Sequence, residues 1–311
     1  GAVIAAGCTQ EPTQFRLCNV ATDPQFGSLI FPTTWTNSTE SSQTFTVEMT
    51  TRVADVAGNT HNSTISNTAA LTSTPTTTNA NPVSRGTAAA QVTVVVPNVA
   101  MTKGASTTAS TGPWTTSDTL TATGGQTVYY RLEATNTTVN GLAVAPLHDT
   151  LVVDCIDARL SDFTNFTASA VATVSAPVAG DGINGCAIGR TRYVWTLTAD
   201  LATTAQIVYS ATVPTPIAAG TTFRNDAALT GSTLAGAVPG ERTLTATANR
   251  TVTAAPPTIV KQRLLPTGTA VPGENVTWRL TLTIPQDVTL LDAQIRDTLP
   301  AELGTADAAS F

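Results

Sequence analysis

Three residues of the sequence combine the types needed to form an amide crosslink between side chains: Lys103, Asp149 and Asn225. A neutral lysine amine can attack the amide of an asparagine and expel ammonia, while a protonated carboxyl group polarises the amide. The reaction needs all three groups to be buried, because desolvation favours the neutral amine and the neutral acid. Closing 122 residues in this way would stabilise the fold by about 5 kcal/mol.

The same three residues also allow an interpretation in which no covalent bond forms between them. A lysine beside a strand is commonly solvated, an aspartate commonly begins a turn, and an asparagine commonly bonds the backbone at a bend. What favours the reactive interpretation is recurrence. Residues 66–72 match residues 224–230, and residues 97–103 match residues 255–261, both at an offset of 158.

A third repeated block completes the set of candidate residues. Residues 125–132 match residues 273–280, and in each copy an Asp-Thr-Leu triplet begins 24 residues after the first glycine, at Asp149 and Asp297. The counterparts of the candidate trio are therefore Lys261 and Asp297 near one end of the chain and Asn67 near the other. The repeat predicts three regions: residues 1–97, the C-terminal part of a repeat; residues 98–255, a complete repeat; and residues 256–311, the N-terminal part of another.

Strands must position these side chains, because the repeat alternates apolar and polar residues with a period of two. Three groups of residues alternate inside the complete repeat, and two more lie in the flanking regions: residues 128–134, 193–197, 207–213, 45–49 and 276–284. Strands at this density, without helical periodicity, predict an all-β protein of tandem immunoglobulin-like β-sandwich domains.

The two incomplete regions are complementary. If two copies are placed end to end, Lys261 of the first and Asn67 of the second are 117 residues apart. Within the complete repeat, Lys103 and Asn225 are 122 residues apart. Because half a sandwich exposes an apolar face and unpaired edges, we expect each part to be completed by another. Either the chain is a window of a longer tandem array, or separate copies complete one another by strand addition into a head-to-tail filament.

The repeat resembles a known family. An early lysine, residues 272–282 (PGENVTWRLTL), residues 296–300 (RDTLP) and the Asn-x-Ala-x-Leu-Thr block are similar to the "conserved repeat" domain of unknown function found in tandem in bacterial and archaeal surface proteins. The resemblance covers most of residues 98–311 and implies stalk modules like those of collagen adhesins. The complete repeat departs from it where Asp149-Thr150-Leu151 lacks the following proline.

Composition excludes several classes of partner. Only 12% of residues are charged, and 15 Lys and Arg with a net charge of -6 give no basic surface for nucleic acid or for an anionic membrane. No segment is long and apolar enough to span a bilayer. The two histidines, His61 and His148, belong to no catalytic motif. We therefore expect a non-enzymatic protein without a cofactor.

Cysteines and sequons indicate an extracellular location. The four cysteines fall into two local pairs, Cys8 with Cys18 and Cys155 with Cys186, which predicts disulfides rather than a metal site. Six Asn-x-Ser/Thr sequons are weak glycosylation candidates, the excess over chance being small: Asn37, Asn62, Asn136, Asn165, Asn249 and Asn275. Asn136 and Asn249 are the better two.

Two binding hypotheses remain beside the structural one. Four aspartates near the second disulfide offer oxygen ligands to calcium, although without EF-hand spacing, so no metal site is assigned: Asp154, Asp157, Asp162 and Asp181. The Ser/Thr-rich loop 107–119 carries Trp114, which could face a glycan or a host protein. The sequence thus predicts a cell-surface fibre made of copies of this chain, with the stalk of an adhesin as the alternative.

Overall fold

A computed structural model of the chain describes residues 4–20, 22, 27–74, 81–116, 119–265 and 267–303. Apart from one 3-10 turn, Ala301–Leu303, the regular elements of these residues are strands, which confirms the all-β prediction. Among these same residues, no helix is long and apolar enough to cross a membrane. The chain divides into two compact units, Gly1–Ala54 and Asp55–Phe311.

The first unit is a small sheet with an aromatic cluster. Its three strands are β1 (Ile4–Ala6), β2 (Phe15–Leu17) and β3 (Leu29–Ile30), with β2 parallel to β1 and antiparallel to β3. The Cys8–Cys18 disulfide joins the loop after β1 to the end of β2. Rings of four residues pack with centroids 5.0–6.1 Å apart: Phe15, Phe31, Trp35 and Phe45.

The strand predicted over residues 45–49 does not form. Phe45 joins the aromatic cluster, whereas Val47 and Met49 are exposed, and the segment carries no strand hydrogen bonding. Alternation produces a strand only where a neighbouring strand supplies hydrogen bonds to the backbone.

The second unit begins with an exposed hairpin. Strands β4 (Thr64–Ser73) and β5 (Val83–Thr93) pair antiparallel, and every residue of both strands is exposed. The segment that precedes the hairpin is anchored through Asp55, whose carboxylate accepts hydrogen bonds from the backbone amide of Arg242 at 2.8 Å and from its guanidinium at 2.5 Å.

A β-sandwich follows, which we call the central domain, and its strands lie between Val99 and Ala254. They are β6 (Val99–Ser106), β7 (Thr119–Ala122), β8 (Thr127–Asn136), β9 (His148–Asp157), β10 (Ser161–Asn165), β11 (Ala172–Val174), β12 (Val178–Ala179), β13 (Arg190–Leu197), β14 (Thr204–Thr212), β15 (Ile217–Ala218), β16 (Thr222–Ser232) and β17 (Thr243–Ala254). One sheet has the order β10-β14-β8-β6. The other has the order β11-β13-β9-β16-β17-β7, with β12 beside β13.

Alternation buries one face of each sheet against the other. In β8, Val128, Tyr130, Leu132 and Ala134 are buried and their neighbours are not, as the sequence pattern predicts. The largest completely buried aromatic side chains come from both sheets: Trp195, Tyr130, Tyr209 and Phe223. Burial of large rings on this scale is the main source of stability for the sandwich.

The chain enters and leaves the central domain at opposite ends. Val99, at the start of β6, pairs with Asn136, whose amide donates to the carbonyl of Leu201, and Leu201 bridges to Leu147 at the start of β9. Because β9, β16 and β17 are successively antiparallel, β17 also begins at this end. Its twelve residues finish roughly 36 Å away, at about 3.3 Å per residue.

The last strands form a second exposed hairpin. Strand β18 (Thr258–Leu265) pairs antiparallel with β19 (Thr277–Thr283), and nearly all of their residues are exposed. Strand β20 (Val288–Thr289) adds parallel to β15 of the central domain, and Val288 is buried against the domain core. This contact fixes the second hairpin at the end of the domain where β17 finishes.

Candidate functional site

A buried lysine and a buried aspartate join the two sheets of the central domain. Lys103 lies on β6 in one sheet and Asp154 on β9 in the other, and their side chains have no exposed surface. The Nζ atom of Lys103 lies 2.5 Å from Oδ1 of Asp154. Alternation explains the inward direction of both side chains, because Met101, Lys103 and Ala105 share one face of β6.

Tyr209 and Asn225 extend this pair into a chain of hydrogen bonds. The hydroxyl of Tyr209 donates to Oδ2 of Asp154 at 2.5 Å and accepts from Nδ2 of Asn225 at 2.5 Å. Tyr209 lies on β14 and Asn225 on β16, so four strands contribute to the site. The Oδ1 atom of Asn225 is buried and accepts no hydrogen bond from any residue that the structure describes.

Burial moves both ionisable groups toward their neutral forms. Desolvation lowers the pKa of Lys103 to about 8, although the neighbouring Asp154 opposes the shift. Desolvation likewise raises the pKa of Asp154, against the opposing effect of Lys103. Burial and the Asp154 charge raise the pKa of Tyr209, which keeps its hydroxyl protonated. The site therefore favours a neutral amine beside a neutral acid more than water does.

Aromatic rings surround the lysine. Its Nζ atom lies 5.6 Å from the ring centroid of Tyr130 and 5.9 Å from that of Tyr209, and the two rings stack with centroids 5.1 Å apart. Trp195 also stacks on Tyr209, with ring centroids 5.5 Å apart. These rings exclude water from the amine, which is the physical origin of its lowered pKa.

The carboxylate beside Lys103 is Asp154 and not the predicted Asp149. Asp149 is exposed at the start of β9, with a φ of 48°, and its Oδ2 atom accepts hydrogen bonds from Ser232 Oγ and from the backbone amide of Gly236. The two aspartates are five positions apart in the sequence, so a strand directs them to opposite faces. The alternation of Val152, Asp154 and Ile156 was the signal in the sequence that identifies the inward-facing acid.

The chain contains two lysines, and both occupy the same position in the repeat. Lys261 on β18 is the counterpart of Lys103. Its Nζ atom lies 2.7 Å from Oδ1 of Asp297 and 4.8 Å from the ring centroid of Trp278, the counterpart of Tyr130. The structure thus brings the predicted Lys261 and Asp297 together, with side chains 36% and 30% exposed. Asn67, the predicted third partner, lies exposed on β4.

The other predicted sites are dispersed. Asp157 pairs with Arg159, Asp181 accepts two backbone amides of its own loop, and Asp162 accepts from Ser161. Among the described residues, no group of three or more His, Cys, Asp or Glu is arranged to hold a metal ion. The ring of Trp114 packs under the guanidinium of Arg131 at 5.5 Å, and part of its loop, residues 117–118, lies outside the described residues.

Both cysteine pairs are disulfides in the structure, and Cys155 directly follows Asp154 on β9. The sequons differ in accessibility. Asn136 is 2% exposed and donates to the carbonyls of Ala145 and Leu201, so the folded protein offers no amide for a glycan there. Asn165 is partly buried, and the remaining four are exposed: Asn37, Asn62, Asn249 and Asn275.

No protein-family model matches the sequence, and a comparison with curated proteins returns no match. The resemblance to the tandem repeat domain therefore stays a prediction.

Similar solved structures include pilin subunits and an AgI/II polypeptide domain of bacteria. One is the T6 backbone pilin of serotype M6 Streptococcus pyogenes, at 13% identity and a TM-score of 0.32 over 56% of this chain and 38% of that one. A second is the C-terminal domain of the Streptococcus agalactiae AgI/II polypeptide BspA, at 13% identity and a TM-score of 0.34 over 58% and 60%. A third is BcpA, the major pilin subunit of Bacillus cereus, at 10% identity and a TM-score of 0.33 over 53% and 42%. The chain thus matches between 38% and 60% of the length of these proteins.

Proposed function

We propose that this chain is a structural part of an extracellular surface fibre, and that an amide bond between Nζ of Lys103 and Cγ of Asn225 locks its central domain. The observation that carries the proposal is the buried chain of contacts from Lys103 through Asp154 and Tyr209 to Asn225. A buried lysine and aspartate are expensive to desolvate and are a weak source of stability by themselves. A reaction that converts the amine into an amide would explain why Lys103 and Asp154 are buried in the core.

The geometry supports a simple sequence of bond changes. Lys103 passes a proton to Oδ1 of Asp154, and the neutral amine attacks Cγ of Asn225. The bond between Nζ and Cγ forms, the bond between Cγ and Nδ2 breaks, and Nδ2 leaves as ammonia. The hydroxyl of Tyr209 touches both Oδ2 of Asp154 and the leaving nitrogen, so it can relay the proton that the ammonia needs.

The position of the bond suits a protein under tension. It would join β6, where the chain enters the central domain, to β16, the neighbour of the strand by which the chain leaves. Tension applied along the chain would then bypass most of the 122 residues between Lys103 and Asn225. The two disulfides are in keeping with an oxidising, extracellular location.

In this proposal the partners of the chain are copies of itself, arranged head to tail, and its role is not enzymatic. The exposed hairpins at the two ends of the central domain support such assembly, because each presents apolar residues and free backbone to solvent. Negative-stain microscopy of the purified chain tests this: fibres of regular repeat are expected. Monodisperse particles that bind a glycan array would instead favour the stalk of an adhesin.

Peptide mapping tests the amide bond. After reduction and proteolysis, mass spectrometry should find the peptide of Lys103 joined to the peptide of Asn225, lighter by about 17 Da than the two together. Asn225→Ala is the matched control, in which the two peptides must separate. Two separate peptides from the unaltered chain would refute the bond.

A further inference from the structure

The two exposed hairpins are the counterparts of two pairs of strands that meet inside the central domain. By the repeat, β4 and β5 correspond to β16 and β17, whereas β18 and β19 correspond to β6 and β8. Positions buried in the domain are exposed in the hairpins: Leu229 is 0% exposed and Leu71 is 56%, Tyr130 is 0% and Trp278 is 38%. Each hairpin is therefore one inner face of a sandwich without the opposing face.

The hairpins also have unpaired strand edges, as this interpretation predicts. In the central domain β16 pairs with both β17 and β9, whereas within the described residues β4 pairs with β5 alone. Likewise β8 pairs with β6 and β14, and β19 with β18 alone among the residues described. Free edges beside apolar faces are sites where another strand adds.

The two hairpins of one chain are held apart. β5 leads into the central domain at the end where β6 begins, and β18 leaves at the end where β17 finishes, roughly 36 Å away. The contact of Val288 with the domain core holds the second hairpin at its own end. Complementary faces that cannot meet within a chain can meet between two copies.

We propose that the β18–β19 hairpin of one copy receives the β4–β5 hairpin of a second copy, and that Lys261 of the first forms an amide bond with Asn67 of the second. The inference rests on the proposed function, since it repeats between copies the reaction assigned to Lys103 and Asn225. Nζ of Lys261 bonds to Cγ of Asn67, and Nδ2 of Asn67 leaves as ammonia with a proton returned by a carboxyl group.

Two carboxylates in the segment that follows the receiving hairpin are candidates for this carboxyl group. Asp297 already lies 2.7 Å from Nζ of Lys261. Glu302 lies exposed on the 3-10 turn and, at the offset of 148, is the counterpart of Asp154. Because Asp154, and not Asp149, serves the central domain, we assign the acid of the completed junction to Glu302. Docking of β4 would draw residues 296–303 into the place that β9 holds beside β16.

Complementary variants of the full chain test the junction. The Lys261→Arg chain keeps Asn67, and the Asn67→Ala chain keeps Lys261, so neither can link to itself. We expect each to run as a monomer on a denaturing, reducing gel, and an equimolar mixture to give a covalent dimer and nothing longer. The unaltered chain should give a ladder in steps of 31.9 kDa, less the ammonia lost. Mass spectrometry should locate the link at Lys261 and Asn67.

The outcomes separate this inference from the proposed function. A mixture without covalent dimer, or a link from Lys261 to Asn67 within one chain, overturns the junction even if Lys103 and Asn225 are joined. If the unaltered chain forms the covalent ladder but Lys103 and Asn225 are not joined, the bond inside the central domain is overturned and the junction is not. Glu302→Gln should reduce dimer formation at least tenfold and Asp297→Asn should not, whereas the reverse order would overturn the assignment of the acid.

Discussion

Nζ of Lys103 lies 2.5 Å from Oδ1 of Asp154, and neither side chain has any surface exposed to solvent. The two residues belong to different sheets, so the contact crosses the interior of the sandwich. Removing one partner of a buried ion pair leaves an uncompensated charge and costs about 3–5 kcal/mol. Converting the amine into an amide removes the buried positive charge of Lys103.

The identity of the acid gives the first prediction. Asp154→Asn should abolish the amide, because the asparagine cannot accept the proton of Lys103, whereas Asp149→Asn should leave it intact. Intact masses of the reduced proteins check this against the sequence masses. A bond that survives Asp154→Asn and disappears in Asp149→Asn would instead identify Asp149 as the acid.

Tyr209 gives the second prediction. Tyr209→Phe keeps the ring that packs on Trp195 but removes the hydroxyl between Asp154 and Asn225. We expect amide formation after refolding to slow by about 10²-fold, the usual size of a proton-transfer contribution. Ammonia release during refolding is the readout, and Tyr129→Phe on the outer face of β8 is the matched control. Equal rates in the two variants would remove Tyr209 from the reaction.

The pKa of Lys103 gives the third prediction. In Asn225→Ala, which cannot crosslink, the folded-state pKa of about 8 lies below the unfolded value of 10.5, so the unfolded state binds more protons between these values. The free energy of unfolding should therefore rise with pH across that window, by about 3 kcal/mol at most. Urea unfolding between pH 7.5 and 10.5 measures it. Adding Lys103→Met to this variant should remove the rise of the unfolding free energy with pH. An equal dependence on pH in both proteins would contradict the lowered pKa of Lys103.

The disulfide beside the site gives the fourth prediction. Cys155–Cys186 closes a separation of 31 residues, which corresponds to about 4 kcal/mol of stabilisation. Replacing both cysteines by serine should lower the unfolding free energy of the second unit by that order, as measured with guanidinium. The matched pair Cys8 and Cys18 lies in the first unit, so its replacement should leave the unfolding of the second unit unchanged.

The sequence allowed the fold to be predicted further than the site. Repeats and alternation predicted the strands of β8, β13 and β14, the sandwich class and the two lysine positions, because each depends on local pattern. The Asp-Thr-Leu motif predicts Asp149 as the acid, whereas the alternation of residues on β9 points Asp154 inward. Tyr209 and Tyr130 could not be assigned to the lysine from sequence, since their contact depends on how the two sheets pack. The segment 45–49 alternates but lacks a partner strand, which no local pattern reveals.

The most direct measurement is the intact mass of the reduced Lys261→Arg chain, in which Lys103 is the one remaining lysine. The bond between Lys103 and Asn225 predicts a mass about 17 Da below that of the sequence and no ε-amine that reacts with an acylating reagent after denaturation. A full mass together with one reactive ε-amine would contradict it.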